Sequence, residues 1–213
     1  MVLHCGRVGR RLFLEILNIY LLRIFFAYYL TKLSLVIVGL CLYLNPMKSI
    51  IEANIYHLNQ LRDVLQVSLN NKQYTSSNFP PFYSSIGQHT RHILDFYSNV
   101  LDYDKIIDLT CRNRSCTSGL NLDFALNRIN NTIYKLNDLK SINDFTINVY
   151  DDLGLGKQNV NYNYSSLLAH ANSHIIHHFA SIGYLLHHLN IKPSNPVFGL
   201  NPTSPILRNK VLK

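Results

Sequence analysis

The spacing of histidines near residue 175 is the strongest chemical signal in this sequence. Four of the ten histidines fall within nine residues, at positions 170, 174, 177 and 178, with no proline or glycine between them. At 3.6 residues per helical turn, His174 and His178 lie on one face, and His170 continues that row. Two imidazoles at positions i and i+4 can ligate one metal ion if a third ligand comes from elsewhere. The sequence therefore predicts a helix that carries part of a metal site.

The third ligand is predicted to be His92, on a second helix. Three neutral imidazoles leave coordination positions open, which is typical of a catalytic zinc site. A metal held in this way would lower the pKa of a bound water or thiol and so generate a nucleophile near neutral pH. His89 lies one turn earlier on nearly the same face and is the alternative ligand.

Two polar residues near the predicted ligands, His177 and Asp95, are candidates for contacts with those ligands. His177 lies off the face of His174 and His178 and is expected to contact the ligands from outside. Asp95, three residues after His92, either orients a ligand or is exposed to solvent. Spacing alone also permits an ordinary interpretation, in which the histidines face solvent or are hydrogen-bonded in the core, and that interpretation is preferred for His57.

Amphipathic helices are predicted to position these residues. Apolar residues recur at spacings of three and four over four segments, 48–69, 82–100, 120–139 and 165–190. Ser165 or Ser166 is expected to cap the last helix. The alternating segment 145–150 could add a short edge strand, and residues 151–164 are expected to be a long crossover. This pattern predicts an all-α fold, a four-helix bundle, in which metal sites are built from side chains that face the core.

An apolar N-terminal extension, residues 1–46, precedes the predicted domain over residues 47–213. Residues 12–45 are mostly Leu, Ile, Phe, Tyr and Val. The cleanest apolar run, 33–44, is shorter than the roughly 20 residues of a spanning helix. One interpretation is a membrane anchor through residues 12–45, and another is an extension outside the functional protein, with initiation at Met47. We expect a cytoplasmic protein, with a membrane-anchored one as the alternative.

The net charge of +8 does not by itself indicate a nucleic-acid-binding protein. Residues 1–46 contain five of the twenty basic and one of the twelve acidic side chains, so half of the excess lies in the extension. The remaining chain has only a mild excess and no run of lysine or arginine. Four cysteines without a CxxC spacing predict reduced thiols rather than a disulfide framework.

Two histidine segments resemble the DinB-like superfamily of four-helix metalloproteins. In one-letter code they read SIGQHTRHILDF, residues 85–96, and SHIIHHFASI, residues 173–182. They match the "IGQHxRHILD" and "SHxxHHxAxI" patterns of one branch, in the same order and separation. The segment 198–204 is similar to the tail of that branch. The similarity covers about residues 48–205.

The resemblance implies that one histidine of the second helix and an HxxxH pair of the last helix form the metal triad, which assigns His92, His174 and His178. It also implies an up-down-down-up bundle, frequent homodimers and, in some members, metal-dependent transfer or isomerisation with a low-molecular-weight thiol. Zinc is the first expectation, and nickel, iron, copper and manganese are alternatives. The chain departs from the branch in its apolar extension and at residues 102–108, where DYDKIID stands in place of a more charged segment.

The leading hypothesis is a DinB-like metal-binding protein whose metal activates a thiol or a water for transfer or hydrolysis on a small-molecule substrate. One alternative is a non-catalytic bundle in which the metal clamps the second helix to the fourth and the protein serves as a binding or dimerisation module. Another is a membrane-anchored protein with structural histidines.

Overall fold

The structure is a computed structural model that describes residues 23–32, 46–102, 106–111 and 117–205. The chain divides into two compact units, Met1–Pro46 and Met47–Lys213. In the first unit, residues 23–32 are helical (α1), with exposed side chains. No helix in the described part of the chain is long and apolar enough to cross a membrane. Most of the segment 12–45 lies outside the described residues, so the anchor stays a prediction.

In the second unit, the described residues form five α-helices, one of which is short. They are α2 (Pro46–Ser68), α3 (Asn71–Thr75), α4 (Ile86–Leu101), α5 (Leu122–Asp138) and α6 (Tyr164–His188). The four predicted helices are therefore present as α2, α4, α5 and α6, with ends displaced by a few residues, while α3 lies in a segment predicted as a loop. The apolar spacing that predicts them also explains the core, where Ile51, Leu58, Leu94, Ile129 and Leu168 are fully buried.

A three-stranded sheet accompanies the helices, so the predicted all-α four-helix bundle is wrong. The strands are β1 (Ile106–Asp108), β2 (Thr146–Asp152) and β3 (Lys157–Asn163). β1 pairs with β2 in parallel, and β2 pairs with β3 in antiparallel fashion. The segment predicted as an edge strand is thus the central strand, and half of the predicted crossover is the second arm of a hairpin. Buried Ile107, Ile147 and Val149 join the sheet to the helical core.

The first turn of α4 is fixed by a capping box. The Ser85 hydroxyl accepts a hydrogen bond from the backbone N–H of Gln88 (3.0 Å), and the Gln88 side chain accepts one from the N–H of Ser85 (3.1 Å). These bonds satisfy donors that a helix start leaves unpaired. A Cβ atom at Gly87 would collide with the carbonyl oxygen of Gly119, so glycine allows α4 to approach that turn closely. Together these features fix the position of α4 and hence of its histidines.

The start of α6 is held from outside the helix. Asn163 is the N-cap residue and its side chain makes no capping bond. Instead, the Asp144 carboxylate accepts hydrogen bonds from both the N–H and the hydroxyl of Ser165. A carboxylate at this position satisfies free N–H groups and complements the positive end of the helix dipole. The predicted cap was Ser165 or Ser166. Ser165 instead lies inside the helix and donates to Asp144, because the N-cap position is Asn163, two residues before Ser165.

A buried hydrogen-bond network joins α2, α4 and α6. Asn54 is fully buried and donates to the carbonyl oxygens of Ile50 (2.7 Å) and Leu168 (3.1 Å). The Tyr97 hydroxyl donates to the side-chain oxygen of Asn54 at 2.6 Å. Because a buried amide without partners would cost about 1–3 kcal/mol, these contacts fix the relative positions of the three helices, two of which carry the histidines.

Candidate metal centre

His92 on α4 meets His174 and His178 on α6. Each residue can offer one ring nitrogen, and the three nitrogens all lie within 4.8 Å of one another. The ring centroids of the three pairs are 4.8, 4.8 and 4.6 Å apart, and the rings meet edge to face. His178 is buried, and the other two are half-buried. The structure therefore brings together three imidazoles that could hold a metal ion.

The dimensions and chemistry of this cluster fit a metal of the zinc type. Zn–N bonds of about 2.0–2.1 Å in a tetrahedral site place ligand nitrogens about 3.3 Å apart, so small side-chain rotations would close the triad around an ion. The Nε2 atom of His178 is buried and has no hydrogen-bond partner among the described residues. A buried polar atom without a partner is costly, and a metal ion bound at this nitrogen would offset that cost.

His89 contacts the triad through His178. The Nδ1 atoms of the two rings are 3.0 Å apart, and the Nε2 atom of His89 lies 2.9 Å from the Ser84 hydroxyl oxygen. If the Nε2 atom of His178 binds a metal, its Nδ1 keeps the proton and donates it to Nδ1 of His89. His89 must then carry its own proton on Nε2 and donate it to Ser84. This chain of hydrogen bonds fixes the orientation of His178, a function that partners of metal-bound histidines commonly have.

Burial favours the neutral form of the His178 and His89 imidazoles. Desolvation, with smaller contributions first from the imidazole of His174 and then from that of His92, lowers the pKa of His178 to about 2. Desolvation also lowers the pKa of His89, with a smaller contribution from His177. A metal binds the neutral form of imidazole, because protonation removes the lone pair. At neutral pH the ring of His178 is therefore in the form that a metal requires.

The other two predicted site residues lie at different places. His177 is exposed, and its ring centroid is 5.3 Å from that of His178. Asp95 forms an ion pair with Arg128 of α5, with 3.1 Å between Nη1 and Oδ1. Its side chain is 8% exposed, so the prediction of a solvent-exposed aspartate is wrong. The carboxylate links α4 to α5.

Sequence reasoning missed the aromatic contacts of the histidine row. Phe96 of α4 stacks on His174, with centroids 4.6 Å apart and planes at 21°. The same phenyl ring meets His170 edge to face at 5.2 Å, and Tyr162 of β3 lies parallel to His170 at 6.2 Å. Phe96 lies four residues after His92, so the helical spacing held a signal for this contact. Tyr162 could not be anticipated, because its strand was not predicted.

A cavity of about 370 Å³ lies next to the triad. His89 and His177 line it, and both of these side chains contact His178. The rest of the wall combines one face of the C-terminal half of α6 with five residues that precede α4. The residues of α6 are Ala180, Ser181, Tyr184, Leu185 and His188, and the five others are Phe79, Pro80, Pro81, Phe82 and Ser84. Among the described residues that line the cavity none is a candidate ligand, but His89 both lines it and contacts His178.

The fold and the site define a mostly helical protein with a small mixed sheet and a cluster of three histidines that could hold a metal ion. No protein-family model matches the chain, and no curated protein matches its sequence significantly. Function must therefore be inferred from the chemistry of the site, because a fold by itself does not specify an activity.

Proposed function

We propose that this chain is a metal-binding protein that holds one divalent metal ion with His92, His174 and His178. The observation that carries the proposal is the convergence of three imidazole nitrogens from two helices within 4.8 Å. The unpartnered buried Nε2 atom of His178 supports it. So does the resemblance of both histidine motifs to those of DinB-like metalloproteins. We extend that resemblance to the site alone, since the all-α architecture that it implied is wrong.

The donor set favours a metal of the zinc type over magnesium or calcium. Neutral imidazole suits zinc, copper, iron and nickel, whereas magnesium and calcium prefer oxygen ligands. His178 is buried among other histidines rather than carboxylates. An ion held here is therefore expected to be a transition metal with nitrogen ligands.

The number of ligands supports a catalytic function. Three protein ligands leave a coordination position for a water or a low-molecular-weight thiol, whose pKa the metal lowers. The activity that we propose is transfer or hydrolysis with that group as the nucleophile. Two contacts within this chain orient two of the imidazoles: the hydrogen bond of His89 to His178 and the stacking of Phe96 on His174.

A second candidate function is a non-catalytic metal clamp between α4 and α6. It is favoured by one observation: the cavity is lined by His89 and His177 and not by the three candidate ligands. In that case the metal would stabilise the helix pair, and the coordination sphere would be closed to exogenous ligands. Cobalt-substituted protein separates the candidates, because azide or a thiol should change the visible spectrum of an open site and leave that of a closed site unchanged.

Metal content tests the proposal that both candidates share. Full-length protein should contain one zinc-type ion per chain, measured by elemental mass spectrometry after dialysis. His92→Ala, His174→Ala and His178→Ala should each lose most of that metal, because two remaining imidazoles bind far more weakly than three. His177→Ala is the matched control, since this exposed residue lies next to His178 on the same helix. Metal retained by all three triad variants, or lost equally by the control, would refute the site.

A further inference from the structure

We infer that the cavity beside His89 is a binding site for a small, uncharged aromatic molecule that carries an acceptor oxygen. The inference deepens the proposed function, and its preference for an acceptor oxygen rests on the metal being bound. The size, charge and hydrogen-bonding groups of the cavity each support one part of the description.

Size and shape indicate a ligand of about two fused rings. A cavity of about 150 Å³ is sufficient for benzene, and this one has about 370 Å³. Most small-molecule sites fall between about 300 and 1,000 Å³ and are mainly apolar. The apolar part of the wall consists of Phe79, Pro80, Pro81, Phe82, Tyr184 and Leu185. Rings and prolines present flat surfaces, which suit a planar ligand.

Two of the aromatic side chains at the cavity are largely exposed to solvent. Phe82 is 86% exposed and Tyr184 is 73% exposed. Phe79 stacks on His188, with centroids 5.4 Å apart and planes at 16°. Large apolar side chains left in water around a concave surface mark a binding site. A planar ligand would cover these rings and gain the apolar and stacking contributions of each.

The wall offers no charge to a charged ligand. Among the described residues that line the cavity there is no Asp, Glu, Lys or Arg. Taking an ion out of water without a counter-charge is strongly unfavourable. The polar groups present are imidazoles and the hydroxyls of Ser84 and Ser181. The ligand is therefore uncharged, with few polar atoms.

Ser84 determines which polar atom the ligand carries. With a metal on Nε2 of His178, the proton order described above makes His89 the donor and Ser84 the acceptor in their 2.9 Å contact. The proton of the Ser84 hydroxyl is then available to the cavity that this residue lines. An acceptor such as a ketone or lactone oxygen matches it. Metal binding and ligand choice are thus linked through His89.

A pair of fluorescent naphthalenes tests this inference. The first probe is 6-propionyl-2-(dimethylamino)naphthalene, an uncharged ketone whose emission depends on polarity. The second is 2-(dimethylamino)naphthalene, which lacks the acceptor oxygen. Both should bind metal-loaded, full-length protein at one saturable site, and the ketone should bind about two- to tenfold more tightly, which is the contribution of one hydrogen bond.

Three variants locate the site. Ser84→Ala should abolish the preference for the ketone and leave the affinity for the second probe unchanged. Tyr184→Ala should weaken both probes about tenfold through loss of ring contact. Tyr134→Ala, a substitution of an exposed tyrosine on α5 that does not line the cavity, is the control and should change neither affinity. Binding that does not saturate, or affinities unaffected by both cavity variants, would overturn the inference.

Metal content and probe binding together distinguish failure of the cavity assignment from failure of the metal site. Metal-free protein should still bind the second probe, because the apolar wall does not depend on the metal. If the protein contains no metal yet shows the Ser84-dependent preference for the ketone, the cavity stands as a binding site and its link to a metal is wrong. If the protein contains one metal ion and neither probe binds saturably, the cavity assignment is wrong and the metal site stands.

Discussion

The Nδ1 atoms of His89 and His178 lie 3.0 Å apart, so that a hydrogen bond joins α4 to α6 at the edge of the proposed metal centre. Of these two histidines, His178 belongs to the cluster of candidate ligands and His89 does not. His89 is therefore a positioning residue, because it orients a ligand and does not itself lie in that cluster.

His89→Leu is expected to weaken metal binding about 10- to 100-fold, as the loss of a hydrogen-bond partner of a ligating histidine typically does. The variant keeps a side chain of similar bulk and removes both nitrogens. Competition with a chromophoric chelator would measure the dissociation constant. His177→Leu is the control and should bind metal like the wild type, since it makes only a ring contact with His178. Equal affinities for both variants would contradict the assigned function of His89.

The stability of metal-free protein should fall as the pH falls from about 6.5. Burial, and then the neighbouring histidines, lower the pKa of His178 to about 2. Below its ordinary pKa of about 6.5, the unfolded chain takes up a proton at this residue that the folded chain does not. The unfolded state is thus favoured by acid throughout the window between the two values. Urea midpoints measured at pH 7 and pH 5 in chelator should show this decrease.

His178→Gln is expected to have a smaller difference between the two midpoints, because it removes the titrating group. His187→Gln, in which an exposed histidine of the same helix is replaced, should keep the wild-type difference. A variant His178→Gln with the full wild-type difference would show that other groups cause the pH dependence.

The long helices could be predicted from the sequence because their signal is local. Apolar residues at spacings of three and four recur along each of them, and helical hydrogen bonds close within the segment itself. In the sheet only the segment of β2, which alternates over residues 145–150, carries a local signal of this kind. β1 has three residues, and β3 reads KQNVNYN, which is almost entirely polar and exposed. Its backbone is satisfied by β2, and pairing with a remote partner leaves little local pattern.

The candidate site, too, could be predicted only in part from the sequence. Helical spacing places His174 and His178 on one face and offers His92 or His89 as the third ligand, and the resemblance favours His92. The contact of His89 with His178, the pairing of Asp95 with Arg128 and the stacking of Phe96 all depend on how α4 packs against its neighbours. A single sequence carries no record of those distances.

Asp95→Ala should destabilise the protein without changing its metal affinity. Removal of the carboxylate leaves the guanidinium of Arg128 partly buried, at 20% exposure, without its ionic partner. Breaking a buried ion pair typically costs about 3–5 kcal/mol, and the partial exposure of Arg128 places the expected loss at about 3 kcal/mol. Urea unfolding measures the loss, and chelator competition measures the affinity. A large change in affinity with little change in stability would instead assign Asp95 to the metal centre.

Tyr97→Phe should cost about 1–3 kcal/mol, because it removes the donor to the buried side-chain oxygen of Asn54. The ring remains, so little packing is lost. Tyr134→Phe is the matched control and should be neutral, since Tyr134 is 66% exposed. Urea unfolding of both variants at pH 7 measures the difference. A neutral Tyr97→Phe would show that this network does not hold the helices in place.

The most direct test of the central claim is anomalous X-ray diffraction from crystals of the full-length protein grown with zinc. The expected result is one strong peak at the zinc edge, about 2.0–2.1 Å from a ring nitrogen of each of His92, His174 and His178. The ligating atom of His178 should be Nε2. A peak at other residues, or the absence of any peak at these three imidazoles, would contradict the account.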